Sequence, residues 1–549
     1  MSTALANVFK LSSYGSVLDK MTGGQVRDVL SRTGAVDVSQ AVIAAAQSYR
    51  RVRMPRGVYR MSELAFSALN NTVLEGDGDF DGGTVLLFDG GASSSMLTFS
   101  NCQHAGLLNL YIKPAKRMTG GYAVRFTGGS FKCFAEKVRV DYGWNGVDVN
   151  GATETRISSL QLRQMHGTNG LRFTGSAAQP SYRCTVNDFA ADNPYPLAHG
   201  AVISWTPGLL VTAGQIMANN GLVFQCVQSG VTGGGAPSAI PGSGAPDAFT
   251  TRITDGSAAW RFVCRATLLW TLQDSFGYSL VINQAAVIGG GTGFRQDDTA
   301  GAGSSYPTWA WLWDFESDHP FNDCMQLAKG EGVYVDSGWL SSSLQGRGIV
   351  IDATHRGEIT VDSGTRIFGN FKDGVLHNGG SNFKLTDSFI GANSQEANGA
   401  YHGVSVGPNV TNFEIGSNRI GDLSSGVNRQ GYGIFLNAGC DHYTITDNNL
   451  RGNITGPMTG HAAGTVKHVE NNVPLQVRAR GTVTISAGQT TGVFAHGLGA
   501  APARVLATPR ADLGLGKRWW VTVNSTQVIV NADSAVAADT AFDVIAETT

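Results

Sequence analysis

Apolar and polar residues alternate along much of this chain, and near its C-terminal end the alternation recurs with a fixed step. Three segments align without gaps: FKLTDSFI from Phe383, FEIGSNRI from Phe413 and YTITDNNL from Tyr443, so their first residues are 30 apart. In each, the first and third residues are apolar (Phe383 and Leu385, Phe413 and Ile415, Tyr443 and Ile445), which is the period of a strand with one buried face. A second set of strands keeps step with the first: GVLH from Gly374, GVSV from Gly403 and GIFL from Gly433. The pattern continues upstream with looser spacing, in GYAVRF from Gly121, GVDVN from Gly146, GLRFTG from Gly170 and GIVID from Gly348. Periods of ~24 to 30 residues belong to solenoids, whose units bury an apolar face only by stacking on their neighbours. The leucine spacing and helical half of leucine-rich repeats are absent. The pattern therefore predicts an all-β fold, a right-handed parallel β-helix in which Phe383, Phe413 and Tyr443 form one inward ladder and Leu385, Ile415 and Ile445 another.

A solenoid needs covered ends. DVSQAVIAAAQSYR from Asp37 reads as a short amphipathic helix, with Asp37 or Ser39 as N-cap and Val42, Ile43 and Ala46 on one face. It is followed by VRMPRGVYRMSELAF from Val52 and NNTVLEGDG from Asn70. A helix, then this MPxGxY strand, then this NxTVLxGxG turn resembles the N-terminal entry of pectate-lyase-like β-helix proteins, a group that includes many phage tailspikes and capsule depolymerases. The close match covers roughly residues 35 to 90, and the coils follow by pattern alone.

The regular coils are interrupted twice. From Trp205 the alternation lapses into a stretch with SWTPG, NNGLVFQCVQSG, a Gly/Pro/Ser-rich run at 231 to 246 and ITDGSAAWRFV. It is loosely similar to chitin-binding-type modules. Trp205, Phe224 and Trp260 either stack on sugars or form the module's own small core. After Val473 and Pro474 the coil pattern stops, and GTVTISAGQTTGVFAHGLGAAPARVLATPR with KRWWVTVNSTQVIVNAD reads as β-rich, similar to small C-terminal sandwiches of phage fibres and spikes. Adjacent Trp519 and Trp520 point to opposite faces, one to the core and one outward. The expected organisation is an N-terminal segment 1–34, cap helix and first coils 35–204, inserted module 205–265, further coils 266–472 and a C-terminal β domain 473–549.

Composition sharpens this picture. Glycine makes up 72 of 549 residues and charged residues only 15%, a chain of many tight corners and little helical surface. The formal net charge of −2 offers no basic excess for phosphates, which argues against nucleic acid. No apolar run is long enough to cross a bilayer, and the opening MSTALANVFKLSSYG lacks the flank and apolar run of a signal peptide, so no membrane insertion is expected. Seven scattered cysteines without a CxxC pair read as buried thiols rather than a disulfide framework or zinc site. Neither a calcium loop of the DxDxDG kind nor a cofactor motif is present, and the reading carries no metal and no cofactor.

Candidate chemistry concentrates at YPTWAWLWDFESDHP, from Tyr306 to Pro320. Cleaving a glycosidic bond needs two carboxyl groups, one holding a proton and one ionised. In a regular strand Asp314, Glu316 and Asp318 share one face and Trp309, Trp311 and Trp313 the other, unless a bend brings both sets together. Mutual repulsion of acids some 7 Å apart raises at least one pKa. Glu316 and Asp318 are the first candidate pair, with Asp314 and, one coil on, Asp336 in reserve. Trp309, Trp311, Trp313, His355 and Arg356 are candidate substrate contacts, and Asp352, Glu358 and Asp362 the next acids. An eliminating enzyme would instead need a base such as His355 beside Arg356, or His377 and His402 on successive coils. The tailspike resemblance transfers no catalytic residue, because tailspike glycosidases share no local motif. It does imply a homotrimer in a phage virion, with a tail or adaptor protein as partner and acting on a bacterial surface polysaccharide, O-antigen or capsule; either the short N-terminal segment joins the adaptor or that end has been trimmed. A glycan-binding adhesin without catalysis is the alternative.

Overall fold

The computed structural model describes all residues except 1–12, 177, 196–201, 241–246, 248, 267–272, 275–276, 298–307, 422–428, 462–463, 476, 499–500, 512–517 and 549. Tyr306 of the acid and tryptophan segment, and the end of the Gly/Pro/Ser-rich run, lie outside the described residues.

Among the described residues two parallel sheets, of 22 and 13 strands, wind together into a right-handed parallel β-helix. The architecture is thus the parallel β-helix that the repeat pattern predicts. One C-terminal coil shows the plan: Val375–His377 in the smaller sheet, a corner, then Ser381–Thr386 and Phe389–Gly391 in the larger one. Phe383, Phe413 and Tyr443 pair in register, as do Leu385, Ile415 and Ile445, and all six are buried. The second strand set stacks likewise, Val375 on Val404 on Ile434.

The aligned octapeptides also encode the bend. Their fifth residues, Asp387, Ser417 and Asp447, are left-handed, with φ of 48°, 57° and 58°. Asp, Asn and Ser enter this region at least cost after glycine. The ladder of left-handed residues extends upstream through Ser363, Ser337 and Asp314 to Asn109. Their sixth residues, Ser388, Asn418 and Asn448, turn inward. Asn418 Nδ2 donates to Asn448 Oδ1 at 3.0 Å, and Asn448 Nδ2 to Asn472 Oδ1 at 2.8 Å, so buried amides satisfy one another.

At the N-terminal end two helices, Gly23–Ser31 and Ser39–Ser48, cover the first coil. Asp37 Oδ1 accepts the Ser39 N–H at 2.7 Å at the head of the second. Tyr14–Ser16 pairs in parallel with Arg51–Met54, so the larger sheet begins before the cap.

The inserted segment folds as a five-stranded sheet that includes Leu222–Gln228 and Ala258–Arg265. Phe224 and Trp260 are fully buried in its core, Trp205 packs against them, and both indole N–H groups donate to Asp255 Oδ2. These aromatics are therefore core, and the sugar-stacking alternative for them is set aside. Ile216, Val223 and Val263 of this module pack on Phe321 and Leu344 of the shaft. The C-terminal residues form two three-stranded antiparallel sheets around Val483, Val528, Val530 and Phe542. Trp519 packs on that core and Trp520 is 48% exposed. All seven cysteines are buried free thiols.

Candidate active site

Strand Thr308–Asp318 crosses the larger sheet between Gly277–Ile288 on one side and Glu331–Asp336 with Trp339–Ser341 on the other. Ala310 stacks above Val333, Ile359 and Phe383 in register, which sets AWLWDFES in line with FKLTDSFI. Asp314 therefore occupies the bend position, and its φ is 52°. The bend shifts the phase of the strand. Before it Ala310 and Leu312 are buried; after it Phe315 and Ser317 are. Trp309, Trp311, Trp313, Asp314, Glu316 and Asp318 all face outward as a result. Strict alternation, which separates the tryptophans from the acids, does not hold.

Trp309 is itself left-handed, at φ 64°, an unfavourable state for so large a residue. Its indole lies over Gly332, where a Cβ would sit 2.6 Å from Cε3. The ring stacks with Trp311 (6.4 Å, 18°) and Tyr334 (6.2 Å, 11°), and Trp311 with Tyr334 (5.9 Å, 10°). Three near-parallel rings thus stand on the outer surface. Trp313 follows, 41% exposed and in register with Asp336.

Beyond the bend the two carboxyl groups experience opposite environments. Burial pushes the Glu316 pKa up, and the charges of Asp318 and Asp314 push it further. Burial also acts to raise Asp318, but His319, Ser341 and Ser342 outweigh it and hold the carboxyl below the usual range. The Ser341 hydroxyl donates to Asp318 Oδ1, and His319 Nδ1 lies 2.8 Å from Asp318 Oδ2. The His319 ring is stacked at 4.4 Å on Tyr195 from an earlier coil. Two carboxyl groups two residues apart on the same face, one with its pKa raised and the other with its pKa lowered, are the kind of pair that acid–base cleavage uses. A cleft of about 380 Å³ opens beside Glu316, lined by Asp314, Glu316, Ser337, Gly338, Trp339, Gly364 and Arg366. Asp336 borders this region and accepts from the Ser337 hydroxyl.

Two candidates fall elsewhere. His355 is buried, with Nε2 2.8 Å from Gln296 Oε1 and Nδ1 accepting the Gly357 N–H; burial pushes its pKa down to about 4. It is an interior residue and not a surface contact, because the corner after Asp352 turns it toward Gln296. Arg356 is exposed but precedes Gly357–Asp362, level with the Trp309 end of the sheet and away from Glu316. His377 lies between Phe383 and Phe413 inside the coil, with its pKa lowered to about 3 by burial and by His355. His402 stacks on Phe435 at 4.4 Å while its Nδ1 accepts the Tyr432 N–H. Of the remaining acids, Asp352 accepts from Gln326, Glu358 from Asn382, and Asp362 stands beside Asp336.

A second cleft, of about 360 Å³, lies against the smaller sheet between Ala266, Arg295, Asp323, Arg347 and Lys372. Two of its cations are engaged, Arg295 with Asp297 at 2.6 Å and Arg347 with Asp373 at 2.9 Å, and no aromatic ring is among its lining residues. The outer face of Thr308–Asp318 alone combines rings and a split carboxyl pair among the described residues.

No family model matches the chain and no curated protein matches it. Solved structures are similar to it at low identity. The A-module of mannuronan C-5 epimerase AlgE4 from Azotobacter vinelandii aligns with 83% of this chain and 99% of its own, at 14% identity and a TM-score of 0.49. DFA-IIIase from Arthrobacter chlorophenolicus A6, solved with GF2, covers 83% and 99% at 9% identity and 0.46. Tailspike protein 3 of bacteriophage CBA120 covers 84% and 62% at 11% identity and 0.45.

Proposed function

We propose that this protein is an endo-acting depolymerase of the phage-tailspike kind, which binds and hydrolyses a bacterial surface polysaccharide, O-antigen or capsule. The observation that carries the reading is the bend at Asp314, which sets a three-ring platform and a split carboxyl pair on one outer face. Glycan rings lie on Trp309, Trp311 and Tyr334. Glu316 gives its proton to the glycosidic oxygen as that bond breaks. Asp318, ionised, either removes a proton from the attacking water or attacks the anomeric carbon itself. In the second case Glu316, now deprotonated, activates the water that releases the sugar.

Incubating the protein with host polysaccharide and sizing the products tests this. Defined oligosaccharides with a free reducing end are expected. Glu316→Gln and Asp318→Asn should each lower the rate by at least ~100-fold with little change in melting temperature. Normal cleavage by both variants would move the chemistry elsewhere, unsaturated products would mark elimination, and retention without products would leave an adhesin. The proposal extends to a homotrimer on a virion, attached through the N-terminal segment to a tail or adaptor protein. Sedimentation should then give three times 57.8 kDa.

A further inference from the structure

The outward position occupied by Glu316 recurs on every following coil. In register above it stand Trp339, Arg366, Phe389 and Arg419. Over these four coils aromatic ring and guanidinium alternate, one strand spacing apart, and the ladder then ends in Asn449 and Val473. Arg366 lies over the Trp339 ring at 5.8 Å, and Arg419 over Phe389 at 5.2 Å. Both arginines are exposed, and neither has a salt bridge among the described residues. A guanidinium attracted to an aromatic ring at this distance is steadied by it, yet keeps its N–H donors for a carboxylate. The same ladder toward the N-terminus is different: Ala286, Ala190 and Gln161 lead to Arg139, whose donors are taken by Asp141 at 2.9 and 2.6 Å. The unpaired, ring-backed arginines lie on one side of Glu316 only.

We propose that Trp339, Arg366, Phe389 and Arg419 form the track for an acidic polysaccharide, which runs parallel to the shaft from Glu316 and places a carboxylate-bearing sugar over each arginine. This assignment rests on the reading of Glu316 as a catalytic acid and adds the substrate class and direction. The two arginines are two strands apart, ~9.6 Å, close to the length of two linked pyranose rings. The spacing therefore suits a polymer with a carboxylate on alternate sugars. Trp339 and Phe389 offer apolar ring surface to the sugars between. Arg366 also lines the cleft that contains Glu316, so the track is continuous with the reacting bond.

Affinity electrophoresis in gels containing hyaluronan, which carries a carboxylate on alternate sugars, tests the track, with carboxyl-reduced hyaluronan and dextran as the other arms. Mobility in dextran is the reference for each variant. The intact protein should be retarded by hyaluronan and not by its reduced form. Arg366→Gln or Arg419→Gln should weaken retardation about tenfold, the worth of one charge-assisted contact, and the double variant should abolish it. Lys384→Gln, on the neighbouring face, should leave it unchanged. No retardation, equal retardation by the reduced polymer, or none of the loss expected in the double variant overturns the track. Failure here with Glu316→Gln inactive on host polysaccharide leaves the hydrolase reading intact; retardation lost in the double variant while Glu316→Gln still cleaves keeps the track and removes the catalytic acid.

Discussion

Tryptophan is put to opposite uses in the inserted module and in the shaft. Trp260 is fully buried, shares Asp255 with Trp205 and forms the centre of the module. Trp309, Trp311 and Trp313 lie on the outer surface, the first two stacked on each other and on Tyr334. The difference follows from how each unit fills its interior. A sheet as small as the module encloses little volume, so large rings must provide its core. Each coil of the shaft buries residues against two neighbours, and Leu312, Phe315, Val335 and Leu340 fill the space. The outward positions are then released from folding, and surface rings there point to a ligand.

The largest effect that tests this contrast is expected from Trp260→Ala. Loss of a buried indole costs about 3–5 kcal/mol, and Trp205 would be left as the only indole donor to Asp255. Hydrogen exchange should accelerate through Leu222–Gln228 and Ala258–Arg265 while Phe383–Ile390 and Phe413–Ile420 stay protected. Loss of protection in the shaft as well would show that the module is a structural part of the coil stack.

A smaller effect, of opposite kind, is expected from Trp311→Ala. Removing one ring of the platform should raise KM roughly tenfold at little cost in kcat, as loss of uniform substrate binding does. Stability should change by less than ~0.5 kcal/mol. A fall in melting temperature without a change in KM would make the platform a packing feature. Gly332→Ala sharpens the result: at φ 75°, with its Cβ meeting the Trp309 ring, it should disturb the same platform while leaving Trp311 in place.

The interior was more legible in the sequence than the exterior. Phe383, Phe413 and Tyr443 repeat because the space inside a coil is shared with its neighbours, and that constraint writes itself every 30 residues. Outward residues answer to a ligand and repeat only loosely. The phase shift at Asp314 escaped an alternation rule, although extending the octapeptide alignment upstream would have placed Asp314 where Asp387, Ser417 and Asp447 stand. Tyr334 and Trp339 were visible as residues, but only the coil register puts them beside Trp311 and Glu316. His355 was misplaced because THRG reads as an exposed corner, whereas its partner, Gln296, is a buried side chain two coils earlier. Tyr195 meets His319 only through the winding of the shaft, and no local pattern signals it.

The least effect is expected at His319, and it bears on what holds Asp318 ionised. Asp318 faces His319, Ser341 and Ser342, with Glu316 and Asp314 on its own strand, Cys324 across the corner, and Asp192, beside Arg163, two strands away in the same ladder. The proposed hydrolysis needs Asp318 ionised and Glu316 protonated. The acid limb of the rate profile therefore follows Asp318, below the usual carboxylate range, and the alkaline limb follows Glu316, above it; both limbs belong to the coupled pair. The stability that Asp318 contributes runs the same way: with its folded pKa depressed, it is present above the unfolded value and lost as pH falls through the folded one. Glu316, raised in the fold, contributes the opposite sign and stabilises on protonation. His319→Ala removes one of the contacts that lower Asp318, so its pKa should rise and the acid limb should move to higher pH, by less than about one unit for a contact that is partly open to water. The alkaline limb should stay in place, because Glu316 keeps its burial and its neighbours. A variant that loses rate evenly across pH would make His319 a packing residue under Tyr195, and a shift confined to the alkaline limb would assign the ionised role to Glu316 instead.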